Sequence, residues 1–228
     1  MAKIKTLLVT GQNNHDWARS APFCKSLLEG SGKFEVTLTE DPSAALEDAE
    51  QLKRYDLIFS DYNGSDWSDP AKRNFEEAVR GGTGLVILHA ADNSFDGWVE
   101  YEKMVGLLWR AGTGHGAYHE FEVRIVDRDH PITRGIGDFR LWDELYHNLM
   151  HMHGVEYHVL ATAYSDPEQG GTGNDEPVMV TTQYGKGRVY HSILGHVWAG
   201  GAMTTFENKD FQKTLLCGSE WAAAGDVQ

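Results

Sequence analysis

Residues 84–88 are apolar at consecutive positions, and the run stops abruptly at His89, with Ala90 and Ala91 behind it. A run of this kind fits a strand covered on both faces, as parallel strands are, and small residues after it let the chain turn tightly into a helix. Residues 4–10 and 55–60 repeat the pattern; one ends at Gly11, the other at the polar cluster Asp61-Tyr62-Asn63-Gly64. Residues 34–39 instead alternate, which predicts a strand exposed on one face or near a sheet edge. Helical spacing of Phe23, Leu27 and Leu28 predicts a helix over 18–29, stopped by Gly30 and Gly32. Asp41-Pro42 and Asp69-Pro70 each put an acceptor ahead of a proline and open two more helices, with the aspartates as N-caps. Trp98, Tyr101, Val105 and Leu108 predict a helix after His89. The order βαβαβαβ implies a parallel sheet with right-handed crossovers and helices on both faces.

Beyond Arg110 the pattern changes. Residues 112–116 read as a flexible Gly-rich loop near the site, and 118–126 alternate as a strand with one solvated face. Residues 130–133 read as a turn, 159–164 as a short strand and 166–177 as a Gly-rich surface loop. Residues 178–184 and 188–194, joined by Gly185-Lys186-Gly187, predict a hairpin, and Asn208 caps a final helix. The fold class is α/β, with a mostly parallel central sheet and antiparallel additions in the C-terminal half, as a single domain over 1–228.

Ligands of such sheets bind outside the carboxyl ends of the parallel strands. Here those ends carry Asn13, Asn14, His15 and Trp17, then Asp61 and Asn63, then His89 and Asp92, and, if 188–194 joins the sheet in parallel, His196 and Trp198. Tryptophan beside polar groups is a common sugar-binding surface. Among eleven histidines, His15, His89 and His196 stand first as ligands of a divalent metal such as zinc, and His119 and His147 second; hydrogen-bonded histidines are the competing reading. His130 reads as a turn residue, His151 and His153 as surface, His158 and His191 as packed or functional. Asp143-Glu144-Leu145-Tyr146-His147 is a second dense cluster, suited to acid–base work. Its plainer reading is a carboxylate that caps a loop or pairs with Arg140.

A formal net charge of −14 argues against nucleic-acid or anionic-membrane partners. Cys24 and Cys217 lack disulfide or metal spacing and read as reduced, packed thiols. No signal-like segment or membrane-length apolar run is present, so a cytoplasmic location is expected. A homo-oligomer is compatible with all of this. Nucleophilic chemistry is disfavoured, because His89 occupies the strand-to-helix turn where a serine or cysteine would stand.

These residues resemble the ThuA-like, or trehalose-utilisation, family. The pieces that carry the resemblance are His15-Asp16-Trp17 after Gly11, residues 84–89 with Ala91, His119, residues 130–133 with Gly135, Asp143-Glu144-Leu145-Tyr146, residues 184–189, and Gly195-His196 followed by Phe211 and Trp221. The resemblance implies a flavodoxin-like three-layer sandwich similar to class I glutamine amidotransferases but without their cysteine. It further implies a carbohydrate-catabolism enzyme acting on a disaccharide or its keto derivative. In that reading Glu144 or Asp143 is the base, and His89 and His196 are proton donors or metal ligands. Trp17 and Trp198 stack on the sugar, with Asn13, His15, Asp61, Asp92, His119 and Tyr146 around it. A non-catalytic carbohydrate-binding or regulatory module is the alternative.

Overall fold

The computed structural model describes residues 2–228. Nine strands form one sheet: β1 (Ile4–Val9), β2 (Phe34–Thr39), β3 (Leu57–Ser60), β4 (Gly84–Leu88), β5 (His119–Ile125), β6 (Phe139–Asp143), β7 (Tyr157–Tyr164), β8 (Asp175–Tyr184) and β9 (Gly187–Ser192). Their spatial order is β2-β1-β3-β4-β9-β8-β7-β5-β6. The pairs from β2 to β9 are parallel, and from β9 outward every pair is antiparallel. β9 is therefore the junction between a parallel and an antiparallel half, and the alternating strand 34–39 is an edge strand, as its pattern predicts.

Helices cover both faces of the parallel half. On one face lie α1 (Trp17–Gly30), and on the other α2 (Pro42–Glu47), α3 (Ala49–Leu52), α4 (Asp69–Gly81) and α5 (Val99–Val105); α6 (Thr204–Glu207) and α7 (Lys209–Ala224) close the face of α1. The apolar run of β4 divides between the two cores: Leu85 and Ile87 pack with Phe75 and Tyr101, Val86 and Leu88 with Phe211 and Leu215. This two-sided burial is why the run shows no alternation. α7 approaches β9 closely at Gly218, where a Cβ would meet the Tyr190 ring at 2.1 Å.

Three local expectations are corrected. The N-cap of α4 is Ser68, whose side chain accepts from the Ala71 N–H, and Asp69 is the first helical residue. The helix expected after His89 is broken: a 3₁₀ turn, His89–Asn93, precedes α5, which ends before Gly106, and Leu107–Leu108 pairs instead with Met150–His151. Positive φ at Phe95, Gly97 and Gly106 makes one continuous helix impossible. The Gly-rich loop ends early, since β8 begins at Asp175, and Pro177 is accommodated near register shifts in the β7–β8 pairing. Cys24 and Cys217 are free thiols. Among the described residues no helix is long and apolar enough to cross a membrane.

Candidate active site

β4 and β9 are parallel neighbours with Ser192 beside Leu88, so the chain leaving β9 runs alongside His89. His89 itself turns the chain at φ 45°, a conformation disfavoured for a residue with a Cβ and held here by its surroundings. Its Nδ1–H donates to the Ile193 carbonyl at 2.6 Å, and its Nε2 accepts from the Tyr146 hydroxyl at 2.8 Å. Gly195, at φ 136°, allows the close passage: a Cβ there would lie 2.9 Å from Leu88 Cδ1 and 3.2 Å from His89 Cβ. The next residue, His196, is thereby set beside His89.

The loop after β1 joins them. The Asp16 N–H donates to the Val197 carbonyl at 3.0 Å, and Arg19 bonds Asp16 Oδ2 at 2.7 Å and the carbonyls of Gly201 and Trp198 at 2.6 and 2.8 Å. These bonds staple the loop bearing His15 to the one bearing His196. The fourth group, Glu144, follows β6 of the antiparallel half.

His15, His89, Glu144 and His196 each offer one ligand atom, and these atoms all lie within 4.8 Å of one another. His15 Nε2 is 2.9 Å from His196 Nδ1, which is 3.0 Å from Glu144 Oε2. The Asn13 amide oxygen accepts from both the His15 backbone N–H and Nδ1–H, at 3.0 and 3.2 Å. With that tautomer His15 Nε2 carries a lone pair, and it faces His196 Nδ1, which faces Glu144 Oε2, so three atoms able to accept converge. Such a surplus of acceptors is what a divalent cation satisfies, at about 2 Å from each nitrogen or oxygen. Anchoring Nδ1–H on a carbonyl or amide oxygen, as at His15 and His89, is also how metal-binding histidines are oriented. The residues present fit a metal ion.

Burial, then the neighbouring His196 imidazole, lowers the His15 pKa to about 4; burial, then His15 and His196, holds His89 well below the ordinary histidine range. Both are neutral at pH 7, and the His89 lone pair is the one that the Tyr146 O–H bonds. Burial pushes the Tyr146 phenol well up, which keeps it an O–H donor.

Asp143 is fully buried, and its carboxylate accepts the backbone N–H groups of Glu144 (2.7 Å), Gly195 (2.8 Å) and His196 (3.1 Å). Burial raises it to about 8, against the pull of those three donors. It caps the His196 loop, while Arg140 pairs with Glu120 at 3.0 Å. Thus Asp143 positions the site and Glu144 faces it.

Asp61 is likewise beneath the site, accepting from Ser20 Oγ at 2.6 Å and from Asn13 Nδ2 at 3.0 Å. Burial raises its pKa from 3.8 to about 6. Because the folded value exceeds the unfolded one, the native state binds the proton more tightly. This stability is present in full below pH 4 and lost as pH rises through 6, a change of about 3 kcal/mol. Asp61→Asn is expected to lose that dependence. Urea unfolding at pH 4.5, 6 and 8 checks it: parallel pH profiles for variant and parent would refute the assignment.

His15, Glu144 and His196 border a cavity of about 270 Å³, and His89 lies behind its wall. Of the residues expected there, His15, Glu144, Tyr146, His196 and Trp198 line it. His89 touches it through Tyr146. Trp17 opens α1, and His119 donates Nδ1–H to the Ala117 carbonyl, both away from the lining. Asp92 is completely buried, 3.6 Å from the equally buried His191. His153, expected at the surface, bonds the buried Glu102 at 2.7 Å. Sequence reasoning missed Asn93, Trp109 and His115 in the lining, whereas Asn14 belongs to the 13–15 cluster expected there. His115 lies 3.6 Å from Glu144, and its signal was the Gly-rich loop 112–116, which pairs Gly114–His115 with Tyr146–His147.

The profile of the family described as ThuA, trehalose utilisation, matches residues 5–222. The chain belongs to the ThuA family. A ThuA-like protein from Parabacteroides merdae superposes with a TM-score of 0.90 at 35% identity, covering 100% of this chain and 92% of that one. A second ThuA-like protein, from Bacteroides uniformis, gives 0.77 at 18% identity, covering 98% and 92%. A cytoplasmic protein from Salmonella typhimurium shares the fold at 0.66 and 15% identity, covering 96% and 99%. None of the curated proteins compared matches.

Proposed function

We propose that this ThuA-family chain is an enzyme of carbohydrate catabolism, acting on the keto derivative of a disaccharide by acid–base chemistry beside a divalent cation. The convergence of three imidazoles and one carboxylate, two of the imidazoles and the carboxylate on the wall of a cavity of sugar size, carries this reading. His15, His89 and His196 would hold the cation, zinc or a similar ion, which when bound supplies Lewis acidity toward a substrate oxygen.

Glu144 is the base. A ketone acidifies the neighbouring C–H, and Glu144 takes that proton while the electron pair moves onto the ketone oxygen, to which the Tyr146 O–H donates by turning from His89 Nε2. Return of the proton to the former ketone carbon, as the neighbouring hydroxyl passes its proton to the former ketone oxygen, moves the carbonyl one carbon along and isomerises the sugar. Alternatively the pair returns and expels a glycosidic oxygen on the next carbon, which leaves with the proton that Glu144 held. Trp198 forms the apolar wall. The cytoplasmic Salmonella neighbour supports the expected cytoplasmic location.

Elemental analysis of the purified protein, with NMR of 3-keto disaccharides in deuterated buffer, tests the reading. One equivalent of metal and deuterium at the carbon beside the ketone are expected. Sugar affinity without exchange or product would overturn it in favour of a binding module.

A further inference from the structure

The Trp198 ring lies 4.3 Å from His196 and 4.8 Å from Tyr118, centroid to centroid, and Tyr118 in turn lies 5.9 Å from Trp142. The three rings thus form a continuous shelf from the cavity mouth out over the edge of the antiparallel half. Trp142 and Trp198 are 44% and 46% exposed, large values for indoles in a chain whose other aromatic side chains mostly pack inside. β5 pairs with β6 so that Glu120 stands opposite Trp142, and Arg140 Nε bonds Glu120 Oε2 at 3.0 Å. An exposed indole is therefore fringed by a carboxylate and a guanidinium, both themselves accessible.

We propose that Trp142, Tyr118 and Trp198, with Glu120 and Arg140, form an outer subsite for the second ring of a neutral di- or oligosaccharide whose first ring occupies the cavity. Each ring-to-ring step is about the length of one pyranose unit. The C–H face of a pyranose stacks on an aromatic face, while its hydroxyls donate to a carboxylate and accept from a guanidinium. Charge favours the same occupant. A net charge of −14 repels anionic ligands and also a second copy of this chain, whereas a sugar is indifferent to it. Continuity with the cavity supplies the geometry, since Trp198 belongs to both. The subsite rests on the carbohydrate reading above but not on its chemistry, because it concerns affinity rather than proton transfer.

The test is binding of trehalose, maltose, cellobiose and glucose to the full chain, followed by tryptophan fluorescence and calorimetry. At least one disaccharide is expected to bind tenfold or more tighter than glucose. Trp142→Ala should remove most of that advantage and leave glucose affinity within twofold, while Trp142→Phe retains a stacking face and most of the gain. Equal affinities for glucose and every disaccharide, no binding of any, or equal losses in Trp142→Ala would overturn the subsite. So would a change in sedimenting mass in Trp142→Ala, which would assign the shelf to self-association. Deuterium exchange on the keto sugars reads the chemistry separately, so either proposal can fail alone.

Discussion

Glu144→Gln is expected to reduce turnover of a keto disaccharide by about 10²–10⁴-fold, the contribution of a positioned general base. The amide keeps the size of the side chain and its place in the cavity wall, beside His196 at 3.0 Å, but cannot take a proton. Bound metal should remain near one equivalent, since three imidazoles still converge there. That combination separates a base from a ligand: loss of metal together with turnover would make Glu144 primarily a ligand, and full turnover would remove it from the chemistry. The deuterium-exchange rate and the metal content of the same sample read both.

The second large effect is expected on stability. Asp143→Ala leaves three buried backbone N–H groups, those of Glu144, Gly195 and His196, without their acceptor. Each orphaned donor costs about 1–3 kcal/mol, so a loss of at least about 3 kcal/mol is expected in urea unfolding. Asp143→Asn retains one oxygen but turns an NH₂ toward one of the donors, and should fall between variant and parent. An unchanged midpoint in the alanine variant would mean that the loop finds other partners. Because the same bonds hold His196, activity should fall with stability in both variants.

The parallel half was legible in the sequence for a physical reason: strands buried on both faces need apolar residues at every position, as Leu85 to Leu88 show. The ends of those strands were legible too, which is why His15, His89 and His196 group together in the sequence as they do in the fold. What stayed hidden depends on contacts across long separations. Asp143 and Glu144 are adjacent and chemically alike, and only the fold of the loop at 195–196 turns one inward to backbone donors and the other to the cavity. Asp61 and Asp92 looked like site residues because they follow strands, yet both are sealed below the surface. Trp109 carries no local signal at all. Its ring reaches the cavity by packing 4.5 Å from Tyr146, a partner remote in sequence. The cap of α4 is ambiguous in the sequence because Ser68 and Asp69 are both good caps, and proline tolerates either register.

The junction at β9 has a consequence for how the molecule comes apart. His15 and His89 belong to the parallel half, Glu144 to the antiparallel half, and His196 follows the junction strand, 181 residues from His15 in the chain. Anything gripped by all four acts as a clasp across the seam. It has no counterpart in the unfolded chain, so its binding free energy adds directly to the free energy that keeps the halves together. Occupancy of the site and cohesion of the sheet are then one equilibrium, and a shift in melting temperature becomes a direct assay for whatever the site holds.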